Sequence, residues 1–255
     1  MTNAHASLRL FALALLVVGT AAACGGGESA SSTPPAAEPL FPPAVSPYDP
    51  QIDPSEFVER IDNPYMPFEP GTTLVYEGVS EDKKETVTVS VTNKTKEILG
   101  ITATVVRDVV TVGGEIAEKT FDWYAQDRYG NVWYLGEDSH EYEDGKPVSS
   151  AGSWEAGVDG AKPGIVMLGD PQVGDRYRQE YYKGEAEDFG QVLKLAESVD
   201  VPHGSFDDVL VTKDWTPLEP QVLENKYYAR GVGVVFERSV KSPKEELSLV
   251  DVKQG

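Results

Sequence analysis

The chain has a single cysteine, Cys24, and three histidines in 255 residues. One thiol excludes an intramolecular disulfide and any cysteine-built metal cluster. Only His140 and His203 lie beyond residue 24, which is thin supply for soft-metal sites or histidine-centred catalysis. Basic side chains are scarce as well: 22 Lys and Arg stand against 42 Asp and Glu, for a net charge of −20. So acidic a body repels phosphate backbones and anionic lipid surfaces, so nucleic acid is not an expected partner. Cations, sugars and neutral ligands are left. No Gly-x-Ser-x-Gly elbow, phosphate loop or His-Glu-x-x-His occurs, so the common hydrolase classes have no motif to rest on and no cofactor is implied.

Long hydrophobic runs are absent apart from Leu10 to Val18, which is too short to span a bilayer comfortably as a permanent helix. Arg9 precedes it and small residues, Thr20 to Ala23, follow it, the architecture of a cleavable export signal. Ala21-Ala22-Ala23-Cys24 resembles a lipobox, in which small residues fit the lipoprotein signal peptidase and the thiol takes a diacylglycerol; Leu is commoner where Ala21 stands. Residues 1–23 are therefore read as a lipoprotein signal peptide and Cys24 as the lipidation site, palmitate included. Ordinary secretion after an Ala-x-Ala site is the alternative. Removing residues 1–23 takes away one charge, Arg9, and leaves 42 acids against 21 bases, a net −21. Residues 24–52 open on Gly25-Gly26-Gly27 and continue rich in Ser, Ala and Pro with no Lys or Arg up to Pro50. Such composition builds no core and reads as a semi-extended spacer between a membrane and a domain at 53–255. The expected location is the extracytoplasmic face of a membrane, held by lipid.

Long helical patterns are missing from that domain too. Asp53-Pro54-Ser55-Glu56 supplies a cap, a proline at the first helical position and a glutamate three residues on, which predicts a short helix over 54–61. Beyond Gly71 the period becomes two. Val87, Val89 and Val91 alternate with Thr86, Thr88 and Ser90; Phe121, Trp123 and Ala125 alternate with Asp122, Tyr124 and Gln126. Continued to Val252, the pattern gives about ten strands with Gly, Pro and Asp turns between them. Close spacing implies antiparallel meanders, so the expected fold is mainly β: a single curved antiparallel sheet or half-barrel with a short N-terminal helix. Ser149 to Asp175, rich in Gly and Pro around Trp154, reads as a long ordered loop of the kind that often carries function.

Three motifs mark strand starts and turns: Pro67-Phe68-Glu69-Pro70-Gly71-Thr72-Thr73-Leu74-Val75-Tyr76-Glu77, the Val201 to Phe206 turn, and Tyr227 to Val235. Through them residues 53–252 resemble a family of uncharacterised bacterial secreted proteins and lipoproteins, and the last two motifs are similar to those of the broader TapB/DUF3108-like group. The resemblance implies a curved antiparallel sheet like the half-barrels of the lipoprotein carriers LolA and LppX. It implies no catalytic residue. Arg230 stands where that family commonly has proline.

Two clusters attract attention. Trp123, Tyr124, Trp133 and Tyr134 sit on neighbouring strand patterns, and alternate residues of a strand face opposite ways. With Trp154 on the long loop they are candidates to line a ligand groove, stacking on a sugar ring or an apolar ligand; cross-strand packing is the alternative. Trp123 is in phase with Phe121 and Ala125, which favours the core, whereas Tyr124 alternates with Asp122 and Gln126, which favours the groove. The second cluster is acidic: Glu137, Asp138, Glu141, Glu143 and Asp144. Carboxylates at this density suit calcium, with Asp138, Glu141, Glu143 and Asp144 as weak candidate ligands, but the spacing is not that of an EF-hand and a solvated hairpin explains it as well. No metal site is assigned. The sequence thus reads as a membrane-tethered, non-enzymatic binding module for a small apolar or carbohydrate ligand. A carboxylate-based glycan-active enzyme and a structural envelope lipoprotein are the alternatives. If the lipobox reading holds, Cys24→Ser moves the protein from the membrane fraction to the medium and abolishes uptake of labelled fatty acid; a variant that still sediments with membranes, beside a wild type that takes up no label, contradicts it.

Overall fold

Period-two patterning covers nearly the whole of the domain. The computed structural model describes residues 48–80, 82–242 and 245–255, so the export segment, Cys24 and most of the spacer lie outside the described residues. Sixteen strands are formed: β1 (Phe57–Val58), β2 (Thr72–Ser80), β3 (Lys83–Ile98), β4 (Ile101–Val112), β5 (Glu115–Asp127), β6 (Val132–Glu143), β7 (Lys146–Ser149), β8 (Trp154–Glu155), β9 (Lys162–Met167), β10 (Arg176–Arg178), β11 (Glu180–Tyr181), β12 (Phe189–Val201), β13 (Gly204–Trp215), β14 (Leu223–Ala229), β15 (Gly233–Ser239) and β16 (Glu246–Gln254). Tight turns join the long ones. Leu99-Gly100 and Gly113-Gly114 have positive φ at both positions, the conformation whose twist matches an antiparallel hairpin.

The hydrogen-bonded order is β10-β12-β13-β14-β15-β16-β2-β3-β4-β5-β6-β9-β11, antiparallel throughout. The two ends of this path, β10 and β11, are separated along the chain by Gln179 alone. One stretch therefore pairs with β12 on one side and with β9 on the other, and the sheet is nearly closed as a barrel. At this seam Gly164 of β9 is pressed against the backbone: a Cβ there would lie 2.3 Å from the Gln179 carbonyl carbon. Only a residue without a side chain admits that approach.

Burial follows strand parity. On β3, Glu85, Val87, Val89 and Val91 are buried while Thr86, Thr88 and Ser90 are half-buried. The inner face passes across the ladder from Val87 to Tyr76 and on to Leu249, and in the other direction from Val87 to Val110 and Glu118. Tyr76, Tyr228, Leu247 and Leu249 fill it. Opposite parity carries Glu77, Lys84, Arg107 and Lys119, so the outer wall presents charge.

One end of the barrel is covered by the segment 61–70. Asn63 fixes it: its Nδ2 donates to the Gly130 and Leu168 carbonyls at 2.8 and 3.0 Å, and its Oδ1 accepts from Tyr65 N at 2.8 Å. Gln126 Oε1 accepts from Asp62 N and Asn63 N, Gly231 N donates to the Pro64 carbonyl, and Gly71 N donates to the Val91 carbonyl. Contacts to four separate parts of the rim make the segment a plug. Ile61, Tyr65, Met66 and Phe68 are buried beneath it.

The structure amends four expectations. Ten strands run seven residues or longer; the pattern matches nine of them and misses β12. The tenth strand of the pattern, the alternation of Tyr177, Gln179 and Tyr181, is the short β10–β11 stretch, and the sheet is a nearly closed barrel rather than a half-barrel. The helix over 54–61 is a single 3-10 turn at Pro54–Glu56, capped by Asp53, whose Oδ1 accepts from Ser55 N at 2.9 Å. Phe57–Val58 leaves that turn to pair with the edge of β5, a ladder that satisfies backbone groups a lone helical turn leaves open. The stretch 149–175 contains β8 and β9 and so belongs to the wall. Finally, Tyr48 and Asp49, within the expected spacer, are docked at the seam: Tyr48 OH donates to the Pro163 carbonyl at 2.8 Å, and Asp49 pairs with Lys162.

Candidate functional site

Between the plug and the inner end of β4 lies a pocket of about 560 Å³. Ile61, Pro67, Phe68 and Pro70 give it apolar walls; Glu59, Arg60, Asp62 and Glu69 give it charge of both signs, and Thr104 a hydroxyl. The plug residues reach it because Phe68 N donates to the Ile61 carbonyl at 3.1 Å, which folds the segment back on itself. Behind the pocket, Phe68 packs on Tyr124 with ring centroids 4.9 Å apart. Volume and lining of this kind are those of small-ligand pockets.

The five aromatics singled out in the sequence divide into two groups. Tyr124, Tyr134 and Trp154 are brought together inside the barrel. Tyr124 stacks on Tyr134 at 4.8 Å and 17°, and Trp154 meets Tyr134 edge-on at 5.3 Å. Tyr134 OH donates to Asp122 Oδ1 at 2.7 Å, and Trp154 Nε1 donates to Glu180 Oε2 at 2.9 Å. Trp123 points the other way, under the Lys96 ammonium, which sits 3.2 Å from the ring centroid and is held there by Glu155 at 2.7 Å. Trp133 packs against Phe57 outside and donates from Nε1 to Asp127 Oδ2 at 2.9 Å. Tyr124 is 0% exposed and Trp123 7%, so neither stands on an open face. The parity argument placed Tyr124 outward because Asp122 and Gln126 flank it. Those two are buried with it, because the inner face of this barrel is itself polar.

That polarity is the feature the sequence reading missed. Glu85, Asp108, Glu118 and Asp122 are buried together on β3, β4 and β5. Asp214, Glu224 and Glu237 are buried on β13, β14 and β15. Against them stands Lys226, the single buried Lys or Arg among the described residues, 3.4 Å from Asp214 and 3.8 Å from Glu237. Burial pushes Glu85 and Asp122 up to about 7 and raises Asp108 well above the usual carboxylate range, with neighbouring carboxyls adding to it. Glu237 is likewise pushed to about 7 by burial, with Lys226 opposing. Burial works against the Lys226 charge, but Glu237 and Asp214 outweigh it and hold the ammonium above its ordinary value. A signal existed in Glu224-x-Lys226-x-Tyr228, three polar-tipped residues at period two, yet either parity of that strand reads equally well as the inner one.

The acidic run on β6 is split by the same alternation. Glu137 is buried, whereas Asp138 is exposed and pairs with His140 at 3.1 Å. Neither Asp138, Glu141, Glu143 and Asp144 nor any other group of three or more His, Cys, Asp or Glu is disposed to hold a metal ion among the described residues.

No family model and no curated protein matches the chain, so the TapB/DUF3108-like resemblance rests on its motif residues alone. Among solved structures, a provisionally named lipoprotein from Parabacteroides distasonis ATCC 8503 is similar at 13% identity with a TM-score of 0.39, over 74% of this chain and 98% of that one.

The geometry predicts that Tyr124→Ala and Trp123→Ala both destabilise the domain, each by about 3–5 kcal/mol, the usual range for deleting a buried aromatic. Urea melts check this. A cost below about 1 kcal/mol for Tyr124→Ala would mean that the inner stack does not support the barrel.

Proposed function

We propose that the protein is a lipid-anchored, extracytoplasmic binding module that seats a small apolar or carbohydrate ligand in the pocket beneath the plug. The observation that carries this reading is the pocket itself: apolar walls from Ile61, Pro67, Phe68 and Pro70, with Glu59, Arg60, Asp62, Glu69 and Thr104 as its polar lining. Such a mixture favours a ligand with one apolar face and hydroxyls on its edge, the pattern of a sugar ring or a hydroxylated lipid fragment. The barrel interior is filled by tyrosines, leucines and carboxyl groups, which supports a site at the mouth in preference to one in the lumen. In this reading the aromatic set serves indirectly. Tyr124 backs Phe68, and Tyr134 and Trp154 brace Tyr124. The lipobox at Cys24 and the proline-rich stretch after it supply the tether.

Thr104→Arg tests the site. Thr104 is half-buried on the pocket wall, so the larger side chain occupies the pocket while its charge remains free to reach solvent. Calorimetric titration with a panel of monosaccharides and oligosaccharides, and with a neutral apolar fluorophore, is expected to find a binder for the wild type and at least about tenfold weaker binding for the variant, with an unchanged urea midpoint. Equal affinity in the variant, or no binder in the panel, contradicts the proposal.

A further inference from the structure

The seam of the barrel stands directly on the buried acids. Gln179, between β10 and β11, donates from Nε2 to Asp214 Oδ2 at 3.1 Å, and its backbone N donates to the Asp188 carbonyl at 2.8 Å. Glu180, the next residue, is 2% exposed and accepts from Trp154 Nε1. Its other charged neighbours are Asp188 immediately before β12, Asp122 on β5 and, as the one cation, Lys226 on β14. Asp188 in turn faces Thr216, which hydrogen-bonds to it, and Lys226, Asp214, Glu219 and Arg178 of β10. The wall behind is no better neutralised. Asp108 faces Asp122, Glu118 and Glu85; Glu85 faces Glu224, Glu245 and Glu118; and Glu237 faces Lys226, Asp214, Glu224 and Glu85.

The geometry supplies few donors and few counter-charges for these acids. Both carboxyl oxygens of Glu237 are buried without a hydrogen-bond partner, with the Glu224 carboxyl as a like-charged neighbour. Glu85 Oε2, Asp108 Oδ1 and Asp122 Oδ2 are buried without a hydrogen-bond donor. An ionised carboxylate in that position is among the costliest groups a protein can bury. Lys226 is the one buried cation set against these acids, the half-buried Arg178 guanidinium lies near Asp188, and no cluster is disposed to hold a metal ion among the described residues.

The seam is also the weakest part of the wall. β10 and β11 are three and two residues long, whereas β3, β4, β5 and β6 are each twelve or longer. Short strands contribute few ladder bonds, so local opening begins where they are.

We propose that the β10–β11 seam is a pH-sensitive latch, closed while the carboxyl groups behind it hold protons and opening as they ionise. Each acid gives up its proton, and the repulsion that appears acts on Gln179, Glu180 and Asp188, the residues that join the two ends of the sheet. Opening there parts β11 from β9 and β10 from β12 and leaves the long hairpins paired. The sign follows from linkage. Burial raises Glu180 well above its ordinary range and pushes Asp188 to about 7, whereas in an open chain both lie near ~4. Closure therefore takes up protons: its stability is complete below pH ~4 and declines as pH rises through about 7.

Hydrogen–deuterium exchange on the chain from residue 24 onward tests the latch, with rates divided by the intrinsic rate at each pH. Between pH 5.5 and 8.5, protection of residues 176–182 is expected to fall at least tenfold relative to the β3–β4 hairpin. Glu180→Gln keeps an acceptor for Trp154 Nε1 and removes the charge, and Asp188→Asn does the same beside Thr216; in either variant the fall is expected to shrink to under threefold. Unchanged protection across pH in the wild type overturns the proposal. So does a uniform loss across the whole barrel, which makes the effect global unfolding, or full recovery at pH 8.5 on adding calcium chloride, which makes the interior a metal site.

Discussion

Burying carboxyl groups inside a sheet that closes on itself is the constraint on which this structure depends. Glu85, Asp108, Glu118, Asp122, Glu224 and Glu237 all point inward, and one buried lysine stands among them. Several ionised carboxylates could not occupy that space; an unpaired buried charge costs several kcal/mol even after relaxation. The surroundings answer in kind. Tyr134 donates to Asp122, Thr212 Oγ1 donates to Asp214 Oδ1 at 2.6 Å, and Lys226 lies between Asp214 and Glu237. Carboxyl groups, hydroxyls and a single buried ammonium make an interior that is polar yet packed.

That interior explains where the remaining features sit. Tyrosines, leucines and acids fill the lumen, and a pocket lies at the mouth, between the plug and Thr104. The plug holds its place through Asn63 and Gln126, whose hydrogen bonds reach β5, the β5–β6 turn and the residue after β9. The chain's entry to the domain is fixed elsewhere, at the seam. Tyr48 packs edge-on against Tyr181 at 5.9 Å, and the Arg178 guanidinium lies 5.3 Å from the Tyr48 ring and 4.1 Å from Phe189. A tether that pulls on Tyr48 pulls on the strand that closes the barrel.

The sequence made most of the long strands legible, since threonines and valines alternate on β3, β4 is β-branched along its length and Gly113-Gly114 marks the turn after it; β12 was not among them. Closure was not legible. It depends on β9, which shows no clear period, and on β10 and β11, whose alternation over 177–182 is visible but whose partners are set by tertiary contact at Gly164 and Gln179. Face assignment failed at Tyr124 for a related reason. Alternation separates two faces but does not say which is inside, and the usual guide, that polar residues face water, is reversed where Asp122 and Gln126 are buried. Of the candidate site, the aromatic stack was visible as a cluster, but the pocket was not. Ile61, Phe68 and Thr104 come together only because the plug folds back across the mouth, and no local pattern announces that.

The most direct test is a comparison of proton binding by the folded and unfolded chain. Potentiometric titration of the chain from residue 24 onward, in buffer-free salt and again in concentrated urea, gives the protons held by each state from pH 4 to 9. With Glu85, Asp122, Asp188 and Glu237 all pushed to about 7 by burial, the folded chain is predicted to hold several more protons than the unfolded chain near pH 6. Superimposable curves, or a folded chain that holds fewer, would contradict an interior kept together by protonated carboxyl groups.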